Sequence, residues 1–293
     1  MKADCPPVLC FGEILWDFLP EGLFAGGAPF NVGYHLHRLG RPVRVVSAVG
    51  NDVLGDELIR RLDTWGIDTG LISRHPELAT GYVRASIDAR GDARYEITRN
   101  VAWDHIGSSE ALFQAAAQAR ALVFGSHAQR SAENRATLQR IRDVLPATAL
   151  RVFDVNLRPP HDDPALVLEL AKRVSLLKLN DAEAVRLAGV DPRAVHGSEQ
   201  HARILAERSG AAWVCVTCGA RGAGLLHADT WYWEDGRPVN VSDTVGAGDA
   251  FLASLVNDLI AADRTPPEVL ARACRLGEWV ASHRGATPSH PGP

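Results

Sequence analysis

The stretch of this chain best equipped for chemistry is Asp243-Thr244-Val245-Gly246-Ala247-Gly248-Asp249, followed directly by Ala250-Phe251-Leu252. Two glycines among small residues let the backbone turn tightly and present its N–H groups outward. Leu252, Leu255, Val256 and Leu259 then recur at i, i+3, i+4 and i+7, the spacing of an amphipathic helix. The glycines therefore sit where a helix begins, with open amides and the positive end of the helix dipole facing an anion. A carboxylate beside an anion hole makes sense if it takes a proton from a group attacking that anion, which is the logic of phosphoryl transfer to a hydroxyl. Taken alone, the stretch is equally a strand-to-helix turn capped by Asp249.

Further polar residues stand at the predicted ends of strands: Asp154-x-Asn156-x-Arg158, Asn180-x-x-Glu183 and Thr217-x-Gly219-x-Arg221-Gly222. Each has a plain explanation, since Asn180-x-x-Glu183 also reads as a capping box and Thr217 to Gly222 as a turn. Gly26-Gly27 ahead of Asn31 is by itself most simply a turn. Their shared placement at one edge of one sheet is harder to explain as coincidence, because ligands bind at the carboxyl ends of parallel strands. Competing nucleotide motifs are missing: no G-x-G-x-x-G follows the first strand, no G-x-x-x-x-G-K-[ST] occurs, and no protein-kinase glycine loop with H-R-D is present. The histidines include no H-E-x-x-H, so transition-metal catalysis has no support.

The elements needed to position these residues are legible as an alternation of strands and helices. Strands are predicted at Val8–Phe11, Val43–Val49, Ala121–Phe124, Leu150–Val155, Leu176–Leu179 and Trp213–Thr217, with paired segments at Ala223–His227 and Thr230–Trp233. Helices are predicted from Pro29 to Leu39 and over Leu54–Trp65, Ser109–Ala119, Ala132–Val144, Ala165–Arg173, Ala182–Ala188 and Glu199–Arg208. Glu13 to Phe18 alternates polar and apolar and reads as half-buried extended chain. Gly81–Asp88 and Ala93–Thr98 alternate with period two around the turn Ala89-Arg90-Gly91-Asp92, an antiparallel excursion expected to pair with Ile14–Phe24 in a separate small sheet. The expected fold is α/β: a three-layer sandwich with a mainly parallel central sheet and a small β-sheet lid. Residues 1–293 are read as one domain, with the lid formed by about 13–27 and 80–104.

Composition sets the limits. At 293 residues, 46% apolar and 23% charged, the chain can bury a sizeable core. A net charge of −4 argues against partners such as nucleic acid or an anionic membrane surface. Five cysteines, no signal peptide and no apolar run of membrane-spanning length predict a reducing, cytoplasmic setting. Cys215-x-x-Cys218 lies within an apolar strand with no histidine at finger spacing, so buried structural thiols are expected.

With these residues in place, the chain resembles the ribokinase-like (PfkB) carbohydrate kinases, and among them bacterial fructokinases. Gly26-Gly27-Ala28-Pro29-Phe30-Asn31-Val32 is similar to the first family signature and Asp243 to Phe251 to the second. Ser47 to Gly50 with Gly55, Thr80-Gly81, Asn180-x-x-Glu183, Thr217-x-Gly219 and Gly285-Ala286-Thr287-Pro288 follow in the family's order. The resemblance implies that Asp249 is the catalytic base and that the amides of Gly246, Ala247 and Gly248 stabilise the transferring phosphoryl group. It implies that Asp17, Gly27 and Asn31 hold sugar hydroxyls, with Arg158 reaching sugar or phosphate. Thr217, Gly219 and Gly222 would line the nucleotide site, and Asn180 and Glu183 would position Mg²⁺ and phosphate, Glu183 through water. Asp243, Val245, Gly285 and Ser289 match the family's monovalent-cation loop, a K⁺ site.

The resulting expectation is an ATP-dependent kinase acting on a primary hydroxyl of a free sugar, with D-fructose first. Its partners would be the sugar and ATP, with homodimerisation through the lid. Alternatives are a kinase for ribose, 2-keto-3-deoxygluconate or adenosine, or a non-catalytic sugar-binding regulator on the same fold. Val101-Ala102-Trp103-Asp104 resembles a fructokinase-like subgroup. His127 stands where an apolar residue is expected, either as a satisfied core or loop histidine or as a residue that alters sugar choice.

Overall fold

The computed structural model describes residues 5–19, 22–87, 93–189 and 197–290. The predicted turn at 89–92 lies outside them. The chain opens with β1 (Val8–Phe11), β2 (Leu15–Leu19) and β3 (Gly22–Gly26), then α1 (Ala28–Arg38), β4 (Val43–Gly50), α2 (Val53–Trp65) and β5 (Ile72–His75). The hairpin strands β6 (Tyr82–Ile87) and β7 (Ala93–Ile97) follow. The alternation then resumes with α3 (Glu110–Ala117), β8 (Ala121–Gly125), α4 (Ala132–Val144), β9 (Leu150–Asp154), α5 (Pro164–Leu170), β10 (Leu176–Asn180), α6 (Asp181–Ala188) and α7 (Ser198–Ser209). β11 (Trp213–Thr217), β12 (Gly222–His227), β13 (Thr230–Asp235), α8 (Ala247–Ala261) and α9 (Pro266–Ala281) complete it.

Nine strands form the central sheet in the order β13-β12-β11-β10-β9-β8-β1-β4-β5, parallel except for the antiparallel β11-β12-β13 edge. Its inner strands are largely apolar because both faces are covered, with Lys178 in β10 a marked exception. Leu9 and Phe11 of β1 join the core under α3 to α7, whereas Val8 and Cys10 join the core under α1, α2, α8 and α9. The result is the expected three-layer α/β sandwich.

The second sheet has the order β3-β2-β6-β7, with antiparallel hairpins joined through a parallel β2·β6 pairing. This is the pairing of the 14–24 and 80–98 segments expected from alternation. Half-burial of 13–18 holds only for its end, where Asp17 is half-buried and Phe18 exposed, and is corrected for the rest. Glu13, Ile14, Leu15 and Trp16 are all buried, because this stretch runs between the two sheets. Trp16 donates its indole N–H to the Leu54 carbonyl at 2.9 Å and lies under the Arg61 guanidinium. Two elements went unpredicted: β5, which extends the parallel sheet beside β4, and α9, which packs on α8. Cys215 and Cys218 are buried free thiols, as the sequence suggested.

Candidate active site

A cleft of about 450 Å³ opens at the carboxyl ends of β1, β9, β10 and β11, between the central sheet and the small one. At its base Gly246 takes a left-handed conformation, φ 77°, and caps α8 with no side chain over the helix start. The leading amides of α8 are therefore left for a ligand. A Cβ on Gly246 would stand 2.5 Å from Ala286, so the turn requires glycine for space as well as for φ. Ala247 departs from expectation: its N–H turns back to the Thr244 carbonyl at 3.4 Å, and the residue does not line the cleft.

Asp249, one residue into the cradle beyond Gly248, accepts a hydrogen bond at Oδ2 from Asn31 Nδ2 at 2.8 Å. Asn31 sits in the first turn of α1, where Pro29 and the strained Gly27 (φ 115°) start the helix. Burial raises the Asp249 carboxyl to about 6, with the Asp154 charge adding to it and Lys178, Asn31 and Arg158 opposing. At neutral pH it is mostly ionised, yet basic enough to take a proton, which suits a general base.

Two further carboxyls face the cleft. Asp17 is pushed to about 7 by burial and by the charges of Asp249 and Asp243. It fits only because residue 26 is glycine: a Cβ there would meet Asp17 Oδ2 at 2.1 Å. Glu13 is likewise raised to about 7, chiefly by burial, and its Oε1 accepts the Ala28 N–H at 3.2 Å. Near neutral pH both carboxyls are partly protonated and can donate as well as accept hydrogen bonds.

The sequence reading overlooked Lys178. Its Nζ is bound to both Asp154 oxygens, at 2.9 and 3.0 Å, in a buried pair, and would stand 3.2 Å from a Cβ on Gly248. Burial pulls the ammonium down, but the carboxylates of Asp154, Asp249 and Glu183 outweigh it and the net shift is upward. A permanent cation is thus held over the glycine cradle. The signal was available: a lysine inside the apolar strand Leu-Leu-Lys-Leu-Asn, in a chain with three lysines, has no reason to be there unless paired.

Among the other expected residues, Gly27, Arg158, Asn180, Thr217 and Val245 line the cleft, whereas Glu183, Gly219, Gly222, Asp243, Gly285 and Ser289 do not. Glu183 is buried as a structural brace, its Oε1 accepting the Leu157 N–H at 2.7 Å and its Oε2 the Asn180 N–H at 2.9 Å. Asn180 Oδ1 in turn accepts the Glu183 N–H at 2.9 Å, so the capping box alternative holds too. With Asp154 taken by Lys178, the donors do not build a magnesium cage. Among the described residues no group of three or more His, Cys, Asp or Glu is placed to hold a metal. Asp243 ties together the two stretches expected to form a cation loop, accepting the Val245 N–H at 3.0 Å and the Gly285 N–H at 3.1 Å. Ser289, further along, is exposed.

Helix α1 grips the segment behind this loop. Tyr34 donates its hydroxyl to the Pro288 carbonyl at 3.1 Å, and Arg38 donates to the His290 carbonyl at 3.2 Å. His35, buried and held neutral with its pKa pushed down to about 3, bridges the Ala286 carbonyl (2.9 Å) and His290 (2.8 Å). Since a carbonyl can only accept, His35 Nε2 carries the proton and Nδ1 accepts from His290. The helix that orients Asn31 thus also anchors Ala286, the residue against which Gly246 packs.

Comparison with known proteins gives the family. Residues 22–292 match the model of the pfkB family carbohydrate kinases. A fructokinase of Rhizobium leguminosarum bv. trifolii is 27% identical over 289 residues, covering 92% of this chain and 86% of that protein. The crystal structure of an uncharacterized sugar kinase from Pyrococcus horikoshii superposes with a TM-score of 0.80 at 23% identity, over 96% of this chain and 93% of the other. The structure of a fructokinase with bound ATP from Xylella fastidiosa gives a TM-score of 0.80 at 24% identity, over 96% and 94%. The chain belongs to the pfkB family of carbohydrate kinases and is an ATP-dependent sugar kinase.

Proposed function

We propose that the cleft phosphorylates a primary hydroxyl of a neutral free sugar, D-fructose in the first instance. The observation that carries this reading is the Asn31–Asp249 hydrogen bond of 2.8 Å beside the open start of α8. It holds a buried base where an acceptor hydroxyl can lie against it while the γ-phosphoryl rests on the α8 amides. In the reaction Asp249 takes the hydroxyl proton, the sugar oxygen forms a bond to the γ-phosphorus, and the bond from that phosphorus to the β,γ-bridging oxygen breaks to release ADP. The α8 amides and the Lys178 ammonium stabilise the charge that develops.

Asp17, Gly27 and Asn31 hold the sugar, and Arg158 reaches its outer hydroxyls or the phosphate. Three carboxyls around the acceptor disfavour a sugar acid such as 2-keto-3-deoxygluconate, because a ligand carboxylate would be repelled. Fructose over ribose or adenosine is supported by Asp154-x-Asn156-x-Arg158, Ala28-Pro29 and the fructokinases among the relatives. Asn180 and Thr217 border the nucleotide side of the cleft, with Gly219 and Gly222 in the turn that follows Thr217. Magnesium would enter with the phosphates of ATP, its charge supplied by the nucleotide side of the reaction rather than by a carboxylate cage of this chain. A monovalent cation such as K⁺ fits the 243–245 and 285 stretches that Asp243 draws together. The small sheet, which contributes Leu15, Asp17, Val83 and Ile97 to the cleft, serves as a lid that keeps water from competing as acceptor and offers a surface for a homodimer.

ADP release measured over D-fructose, D-ribose, adenosine and 2-keto-3-deoxygluconate tests the assignment. Fastest turnover on D-fructose is expected. Preference for another acceptor would replace fructose, and turnover on none of the four would overturn this choice of acceptor.

A further inference from the structure

Three buried side chains in the cleft carry polar atoms without a partner: Glu13 Oε2, Asn31 Oδ1, and both ring nitrogens of His127. Glu13 and His127 are each 5% exposed and Asn31 4%. Buried polar groups without partners are costly and uncommon, so several of them lining one cavity mark where a polar ligand completes the bonding. Glu13 and Asn31 belong to the acceptor half already described. His127 comes from the opposite side, in the short turn that follows β8.

The ring is held in place. It packs on Trp103 with centroids 4.9 Å apart. Trp103 in turn lies under the Arg130 guanidinium at 4.0 Å, and Arg130 is locked onto Asp104 by bonds of 2.6 and 2.7 Å. The rotamer is therefore fixed by its support even though neither nitrogen is bonded. Burial, aided by the positive charges of Arg130 and Arg158, pushes the imidazole down to about 3, so it is neutral. A neutral imidazole offers one donor and one acceptor, the complement of a hydroxyl. It offers no charge to a carboxylate or phosphate.

We propose that His127 is a specificity-determining contact to the acceptor, exchanging hydrogen bonds with one secondary hydroxyl of a neutral polyol while Asp249 addresses the primary hydroxyl. The inference rests on the acceptor reading given above. It commits that reading to a sugar with a hydroxyl on the His127 side, and it explains a histidine where packing alone would select an apolar residue.

The test compares the intact protein with His127→Leu and His127→Gln, using D-fructose and its single-hydroxyl epimers D-tagatose, L-sorbose and D-psicose as acceptors. For His127→Leu the expected result is an acceptor KM raised about tenfold, as for loss of one hydrogen bond, with the KM for ATP within twofold. Discrimination against one of the epimers should collapse, while Tm stays at or above wild type because two buried unpartnered nitrogens are gone. His127→Gln, which keeps a donor and an acceptor, should recover most of the affinity. If His127→Leu lowers kcat equally on every sugar with acceptor KM unchanged, or lowers Tm by several degrees, the ring is packing only and the proposal is overturned. Turnover by the wild type on none of the four sugars would overturn the fructose-like acceptor reading itself, and the contact with it.

Discussion

Replacing Asp249 with Asn separates the chemical step from everything else the site does. An Asn at 249 keeps the shape and can still accept the 2.8 Å bond from Asn31, so the sugar should bind nearly as before. What disappears is the acceptor for the proton, a contribution of about 10²–10⁴ in kcat. Wild-type kcat should rise with pH through an acid limb near 6 and then level off, following ionisation of a carboxyl held at about 6; the variant should lack that limb. Stability moves the other way. The folded carboxyl is raised from 3.8 to about 6, so ionised Asp249 costs the native state energy at neutral pH. About two pKa units would correspond to ~3 kcal/mol, trimmed to ~1–2 kcal/mol because the group keeps some contact with the open cleft. The folded form holds the proton more tightly than the unfolded chain. The cost is therefore absent below the unfolded pKa, grows as pH rises from about 4 to 6, and is constant above. Asp249→Asn should accordingly melt a few degrees higher than wild type at pH 7.5, with the gap closing towards pH 4. Steady-state kinetics with differential scanning calorimetry across pH measures both. A variant that keeps near-wild-type kcat, or that is destabilised at pH 7.5, would refute the assignment.

Gly26→Ala places a methyl 2.1 Å from Asp17 Oδ2. The displaced carboxylate should raise the sugar KM at least tenfold and leave the KM for ATP alone; equal changes in both would argue against Asp17 as a sugar ligand. Lys178→Met strands Asp154 as a buried unpaired charge, with an expected loss of about 3–5 kcal/mol in chemical denaturation and of about 10²-fold in kcat. Adding Asp154→Asn should restore much of the stability but not the rate, whereas recovery of both would make the lysine merely structural. For the cation loop, turnover should be several-fold faster in K⁺ than in tetramethylammonium at equal ionic strength, and equal rates would remove the cation from the site.

Legibility in the sequence followed the range of the interaction. Gly246 to Asp249 could be read because a glycine turn, a carboxylate and the stripe Leu252, Leu255, Val256 lie within a few residues of one another. All three of those stripe residues are fully buried. Strand-end placement of Asn180 and Thr217 followed from the parallel rhythm for the same reason. Periodicity, by contrast, reports burial and not partners. It could not show that Lys178 meets Asp154 across neighbouring strands, nor that Glu183 spends both oxygens on backbone N–H groups. Glu13 to Trp16 carries three apolar residues in a row after one acid, and all four are buried, so the burial was in the composition and the buried acid was not. For β5, Ile-Ser-Arg-His carries no apolar run to detect. The miss at α9 was avoidable: Pro266-Pro267 after Thr265 with Glu268 announces a helix start, and Val269, Leu270, Ala273, Cys274 and Gly277 continue it.

The hold of α1 on residues 286–290 has a bearing on biosynthesis. Asn31 leaves the ribosome 218 residues ahead of the aspartate it orients, and the segment that backs Gly246 is made later still. Tyr34, His35 and Arg38 remain without their partners through all of that time. A translating chain could thus assemble much of its parallel sheet while unable to turn over ATP. The site is complete only once the loop around Ala286 has docked on α1, and the chain must first have made every strand of the parallel sheet that lies between them in sequence.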